Sequence, residues 1–112
     1  MTVSAVGVAT EYFVRMRAGD PSVVDLFSDD AELIGLGDRV TGIAAVREFY
    51  ERTIRDAGPV PEVLVIAAEG DVAFAEILIA VPGIDPIHVV DRFETRDGRI
   101  RSLTYFLADA PS

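Results

Sequence analysis

The chain has 112 residues, half of them hydrophobic, and 19 Asp and Glu against 10 Lys and Arg give it a formal net charge of −9. That length carries one domain, residues 1–112, with a single core. The acidity argues against nucleic acid or an anionic membrane as partner, since both demand clustered basic residues, while one His and no Cys argue against zinc and disulfides and fit a reducing cytoplasm.

The opening MTVSAVGVATEYF lacks a basic n-region and is broken by Glu11, so no secretory signal is expected, and no apolar run approaches a membrane span of roughly 18 residues. Ala5, Val8, Ala9, Tyr12, Phe13 and Met16 recur at helical spacing and predict a helix over 3–18, stopped by Gly19. Asp20-Pro21 opens a short second helix through Phe27, with Pro in the first turn, where its missing N–H leaves nothing unpaired. Residues 31–36 read as a short strand, and a turn at Gly37-Asp38 leads to another around Arg39–Thr41. Ile43, Val46, Phe49, Tyr50, Thr53 and Ile54 mark a third helix, ended by Gly58-Pro59. Four strands follow at about 62–69, 72–81, 87–96 and 99–107, with tight turns at Gly70-Asp71 and Asp97-Gly98 and a looser one at 82–86. Three helices followed by consecutive antiparallel strands make an α+β fold: one curved sheet with helices on one face.

Side chains alternate across a strand, so each face can be read separately. Over 87–96 the even positions His88, Arg92, Glu94 and Arg96 are wet, which puts His88 at a surface or subunit contact and Asp91 on the apolar face with Val89 and Phe93. Over 72–80 both faces are apolar apart from Glu76, so that strand is central and covered on both sides. The helices would cover one face and a second copy of the chain the other, making a homodimer through the outer sheet face. Two readings of Glu76 stand: an outward residue paired with Arg92 or Arg101, or a buried acid. For Asp91 the alternatives are a buried acid satisfied by backbone or a Tyr, and a functional carboxyl. Isolated buried carboxylates are costly, tend to become neutral and cluster in pockets. Arg15 and Arg17 read as the solvated side of the first helix, and Asp29-Asp30 as capping or edging the first strand.

Four stretches, EYFVRMRAGD (11–20), LFSDDAEL (26–33), TGIAAVREFY (41–50) and VDRFETRDGRI (90–100), occur in an order and spacing that resembles the ketosteroid isomerase and SnoaL-like branch of the NTF2-like superfamily. The resemblance spans nearly the whole chain. It implies a cone-shaped fold in which three N-terminal helices pack on a curved, mostly antiparallel sheet around an apolar pocket. It also implies isomerisation or cyclisation of a hydrophobic small molecule by proton transfer next to a carbonyl, with no metal or organic cofactor. Tyr12 and Asp91 match the oxyanion donors, a phenol and a carboxyl kept neutral by its apolar site. The position of the usual base is Gly35. Glu76 then becomes a candidate relocated base, unless Asp38 reaches the pocket by a different turn. With two acids in one dry site, one of Glu76 and Asp91 should stay protonated. The matching pocket walls are Phe13, Phe27, Leu33, Gly35, Phe49, Leu78, Val89, Phe93, Leu103, Tyr105 and Leu107. The Arg-x-Asp of the epoxide hydrolases is replaced by Ile77 and Ile79, and the further Asp of that pattern by Thr104, which argues against that chemistry. A non-catalytic module binding a hydrophobic ligand, and a structural dimer with a collapsed pocket, are the alternatives.

Overall fold

The computed structural model describes residues 4–35 and 37–108. Residues 3 and 36, expected in the first helix and first strand, lie outside them. The apolar stripe of the N-terminal segment forms helix α1 (Ala5–Arg17) and is buried along its length, from Ala5 to Met16. Ser4 caps its start by accepting from the Gly7 N–H at 3.0 Å. Gly19 ends it in a left-handed conformation, φ +65°, with its N–H on the Met16 carbonyl. The second helical segment is a 3₁₀ turn (Pro21–Leu26) opened by Asp20, whose carboxylate accepts from the Ser22 N–H. Helix α2 (Ile43–Asp56) buries Val46 and Tyr50.

The strands are β1 (Phe27–Gly35), β2 (Asp38–Thr41), β3 (Val60–Glu69), β4 (Val72–Ala80), β5 (Ile87–Arg96) and β6 (Arg99–Leu107). They form one sheet in the order β2-β1-β6-β5-β4-β3, antiparallel except for the parallel pair β1/β6. The helices pack on one side of this curved, unclosed, mixed sheet. Strand β1 begins four residues before its expected start, because Ser28, Asp29 and Asp30 disguise it and its pairing with β6 is irregular between Phe27 and Glu32. Polar partners accommodate that run: Ser28 Oγ donates to the Ile100 carbonyl, and Asp30 meets Arg96 at 3.0 Å and Arg101 at 3.3 Å. Arg15 and Arg17 also do more than face solvent. Arg15 pairs with Glu11 and donates to the Ser22 carbonyl, and Arg17 donates to the Pro61 carbonyl at 2.7 Å.

The faces of β4 are the reverse of those expected. Its register with β5 pairs Ala75 with Asp91 and Ile77 with Val89, so the odd positions of both strands share the inner face. Ala73, Ala75 and Ile77 are buried beneath the helices, while Phe74, Glu76 and Leu78 point outward. Glu76 is therefore not a buried acid of the pocket. It meets His88 across the outer face, carboxylate Oε2 to Nε2 at 2.6 Å, rather than Arg92 or Arg101.

Candidate active site

Between α1, α2 and the inner sheet face lies a cavity of about 340 Å³ with almost entirely apolar walls. All three tyrosines of the chain converge on it, one from each supporting element: Tyr12 from α1, Tyr50 from α2 and Tyr105 from β6. Their hydroxyls form a chain, Tyr12 to Tyr50 at 2.9 Å and Tyr50 to Tyr105 at 3.0 Å. Three O–H protons serve two such bonds, so one of the three hydroxyls keeps a proton to donate elsewhere. Tight aromatic packing holds the helix members in place. Tyr12 lies edge-on to Phe13, Phe27, Phe93 and Tyr50, with ring centroids 5.1–6.2 Å apart.

Asp91 completes the group from β5. Its Cα partner on β6 is Tyr105, so both side chains rise from the same face of the sheet at the same level. Asp91 is 1 % exposed, and its Oδ1 has no hydrogen-bond partner among the described residues. Loss of hydration disfavours its charged form and pushes the carboxyl up to about 8. The neutral acid is thus its favoured form at pH 7. Burial, then the neighbouring Tyr105 and the Asp91 charge, hold Tyr12 well above the ordinary phenol range. Burial followed by the Asp91 charge raises Tyr105, and burial followed by its two phenol neighbours raises Tyr50. The phenols are therefore donors and not phenolates.

The same level of the sheet continues beyond Tyr105. Tyr105 pairs with Gly35 on β1, and Gly35 with Asp38 on β2, giving a row Asp38–Gly35–Tyr105–Asp91 across four strands. A side chain on Gly35 would place its Cβ 2.8 Å from the Tyr105 carbonyl oxygen and 3.0 Å from the Tyr105 Cβ, at φ +152°. The close approach of β1 to β6 requires glycine there. Asp38, one strand further out, is exposed and lines the cavity at its mouth.

Of the expected pocket residues, Phe13, Leu33, Gly35, Phe49, Val89 and Tyr105 line the cavity with Tyr12 and Asp91. Five others do not. Phe27, Phe93 and Leu103 are fully buried in the core, where they support the ring cluster and sheet and do not form a wall. Leu78 lies on the outer face of β4 with Glu76, and Leu107, at the end of β6, is exposed. Ile77 and Ile79, which stand where the epoxide hydrolases carry their Arg-x-Asp, are cavity walls, together with Met16, Val40, Thr53, Ile87 and Phe106. The most consequential omission is Tyr50. Its helical spacing with Val46 marked it as core, and only the topology shows that its hydroxyl ends between two other phenols. Among the described residues no cluster of three or more His, Asp or Glu could hold a metal ion.

Residues 9–103 match the SnoaL-like domain family. Among solved structures, a protein from Sinorhizobium meliloti described as a polyketide cyclase is 25 % identical with a TM-score of 0.80, over 88 % of this chain and 93 % of that one. One from Kribbella flavida described as a ketosteroid isomerase superimposes with a TM-score of 0.86 at 20 % identity, over 99 % and 82 %. An LEH-like epoxide hydrolase from M. tuberculosis does so with 0.83 at 21 %, over 95 % and 84 %. The latter two likenesses are of fold. No curated protein matches the sequence. The chain belongs to the SnoaL-like domain family, within the NTF2-like superfamily.

Proposed function

We propose that the protein is an isomerase or cyclase that moves a proton next to the carbonyl of a neutral, hydrophobic small molecule. The carrying observation is Asp91: a buried carboxyl, raised to about 8, with an unpartnered oxygen in an apolar cavity beside hydrogen-bonded phenols. With Glu76 outside the cavity and Gly35 closed against β6, Asp91 is the one carboxyl among the described residues at the cavity's inner end, so the proposed base is Asp91 itself. Its ionised form takes a proton from the carbon next to the carbonyl while the free phenol of the tyrosine chain donates to the developing enolate oxygen. The resulting carboxylic acid then returns the proton, to another carbon in an isomerisation or to a new alkoxide in a ring closure. A proton acceptor near pKa 8 suits both halves of such a cycle. Epoxide hydrolysis is disfavoured, since Ile77 and Ile79 offer the walls no acid and no Arg.

A generic test needs no knowledge of the natural substrate. Deuterium uptake next to the carbonyl of 2-tetralone in D₂O should be accelerated by the protein and not by Asp91→Asn. The filled position of Gly35 favours a second reading, a binding module without turnover. Tight binding of 2-naphthol with no exchange in any ketone would select it. The outer face, with Val65 and Phe74 at 57 % and 46 % exposure, supports a homodimer through that surface. No helix among the described residues is long and apolar enough to cross a membrane, and the cysteine-free composition supports a cytoplasmic setting.

A further inference from the structure

The cavity has a chemically different end at its mouth. Among the described residues its lining includes two carboxyl side chains, Asp91 within and Asp38 at the rim, and no basic side chain. Asp38 stands three strand spacings from Asp91 in the same row, about 14 Å between backbones. Gly35 contributes no side chain to this row and the space above it is taken by Tyr105, so within the row Tyr105 alone stands between the two carboxyls, and both line the same cavity. Two basic groups adjoin this region without lining the cavity. Arg39 alternates to the opposite face of β2 and approaches Glu32 at 3.9 Å, and Arg17 donates to the Pro61 carbonyl.

We infer that Asp38 is a specificity residue: the site takes a neutral or cationic amphiphile, with an oxygen at the Asp91 end and a hydroxyl or amine at the Asp38 end. It rejects carboxylates and phosphorylated carriers. A ligand anion would meet no counter-charge among the described lining residues and a like charge at the rim, from Asp38. An ammonium or hydroxyl would find the rim carboxylate still largely hydrated, which makes the interaction moderate and salt-sensitive. The inference rests on the cavity being a ligand site, but not on turnover there.

The probes are three bicyclic phenols with the same core: 2-naphthol, 6-(aminomethyl)-2-naphthol and 6-hydroxy-2-naphthoic acid, titrated calorimetrically at low ionic strength and pH 7. The ammonium should bind about fivefold tighter than 2-naphthol and the carboxylate about fivefold weaker, as one charge at partly screened contact distance gives. Asp38→Asn should compress that spread to within about twofold. Asp97→Asn, which removes the same charge at the β5–β6 turn, should leave the spread intact. An equal compression by both variants assigns the effect to net charge and overturns the inference, as does a spread that survives Asp38→Asn. Failure of 2-naphthol itself to bind would instead refute the ligand site, a separate outcome.

Discussion

Asp91 and Tyr105 stand directly opposite each other across β5 and β6, both on the inner face, and Tyr105 is in turn opposite Gly35. This places a carboxyl whose Oδ1 has no hydrogen-bond partner among the described residues beside the end of a three-phenol chain. The arrangement does not optimise stability. A buried acid with an unpaired oxygen is the kind of local deficit that functional sites retain.

Asp91 should therefore make the protein less stable as pH rises. Its folded value of about 8 lies above the ordinary carboxyl value of 3.8, so between those values the folded state holds a proton that the unfolded state has released. Stability contributed by that proton is complete below about pH 4 and is lost as pH climbs through 8. The full difference is on the order of 5 kcal/mol. Denaturant unfolding should show the wild type losing stability from pH 5 to 9 relative to Asp91→Asn, with the variant more stable at pH 9. Parallel pH curves for the two proteins would show that Asp91 is ionised and satisfied.

Gly35→Ala should act through Tyr105. The clash with the Tyr105 backbone should destabilise the fold by about 1–3 kcal/mol. It should also weaken 2-naphthol binding about tenfold by moving the terminal hydroxyl. In a Tyr105→Phe background the stability loss should persist and the binding loss should vanish. A binding loss of equal size in both backgrounds would mean a purely structural effect.

Glu76→Gln should leave ketone exchange within about twofold of wild type, because Glu76 faces away from the cavity and toward His88. Its stability effect should stay below about 1 kcal/mol, as for other partly exposed ion pairs. A collapse of activity in a folded Glu76→Gln protein would contradict the observed faces of β4.

Phe74→Arg should convert a dimer to a monomer in sedimentation velocity, since Phe74 lies nearly half exposed on the outer face. A wild type that stays monomeric at high micromolar concentration would remove the proposed interface.

Much of this was legible in the chain. The stripe from Ala5 to Met16 and the turns at Gly70-Asp71 and Asp97-Gly98 mark elements that form where their spacing puts them. Asp91 on an apolar face is readable from the alternation of β5 alone. Strand β4 misleads because both its faces are apolar, so its own pattern carries no orientation. The information lay in its neighbour. A hairpin that pairs odd with odd positions puts Glu76 on the same face as His88 and Arg92, the wet face of β5. Gly35 reads as a missing base in one dimension and as a close strand contact in three. Tyr50 could not be assigned, because its partners lie 38 and 55 residues away.

The central claim is that Asp91 moves the proton, and the pH dependence of kcat/KM for deuterium exchange into 2-tetralone tests it most directly. A base must be ionised, so the rate should rise with pH to a plateau above an apparent pKa of about 8. Asp91→Asn should abolish the exchange at every pH. A rate that falls as pH passes 8 would make Asp91 a hydrogen-bond donor with the base elsewhere, and undiminished exchange in Asp91→Asn would contradict the account outright.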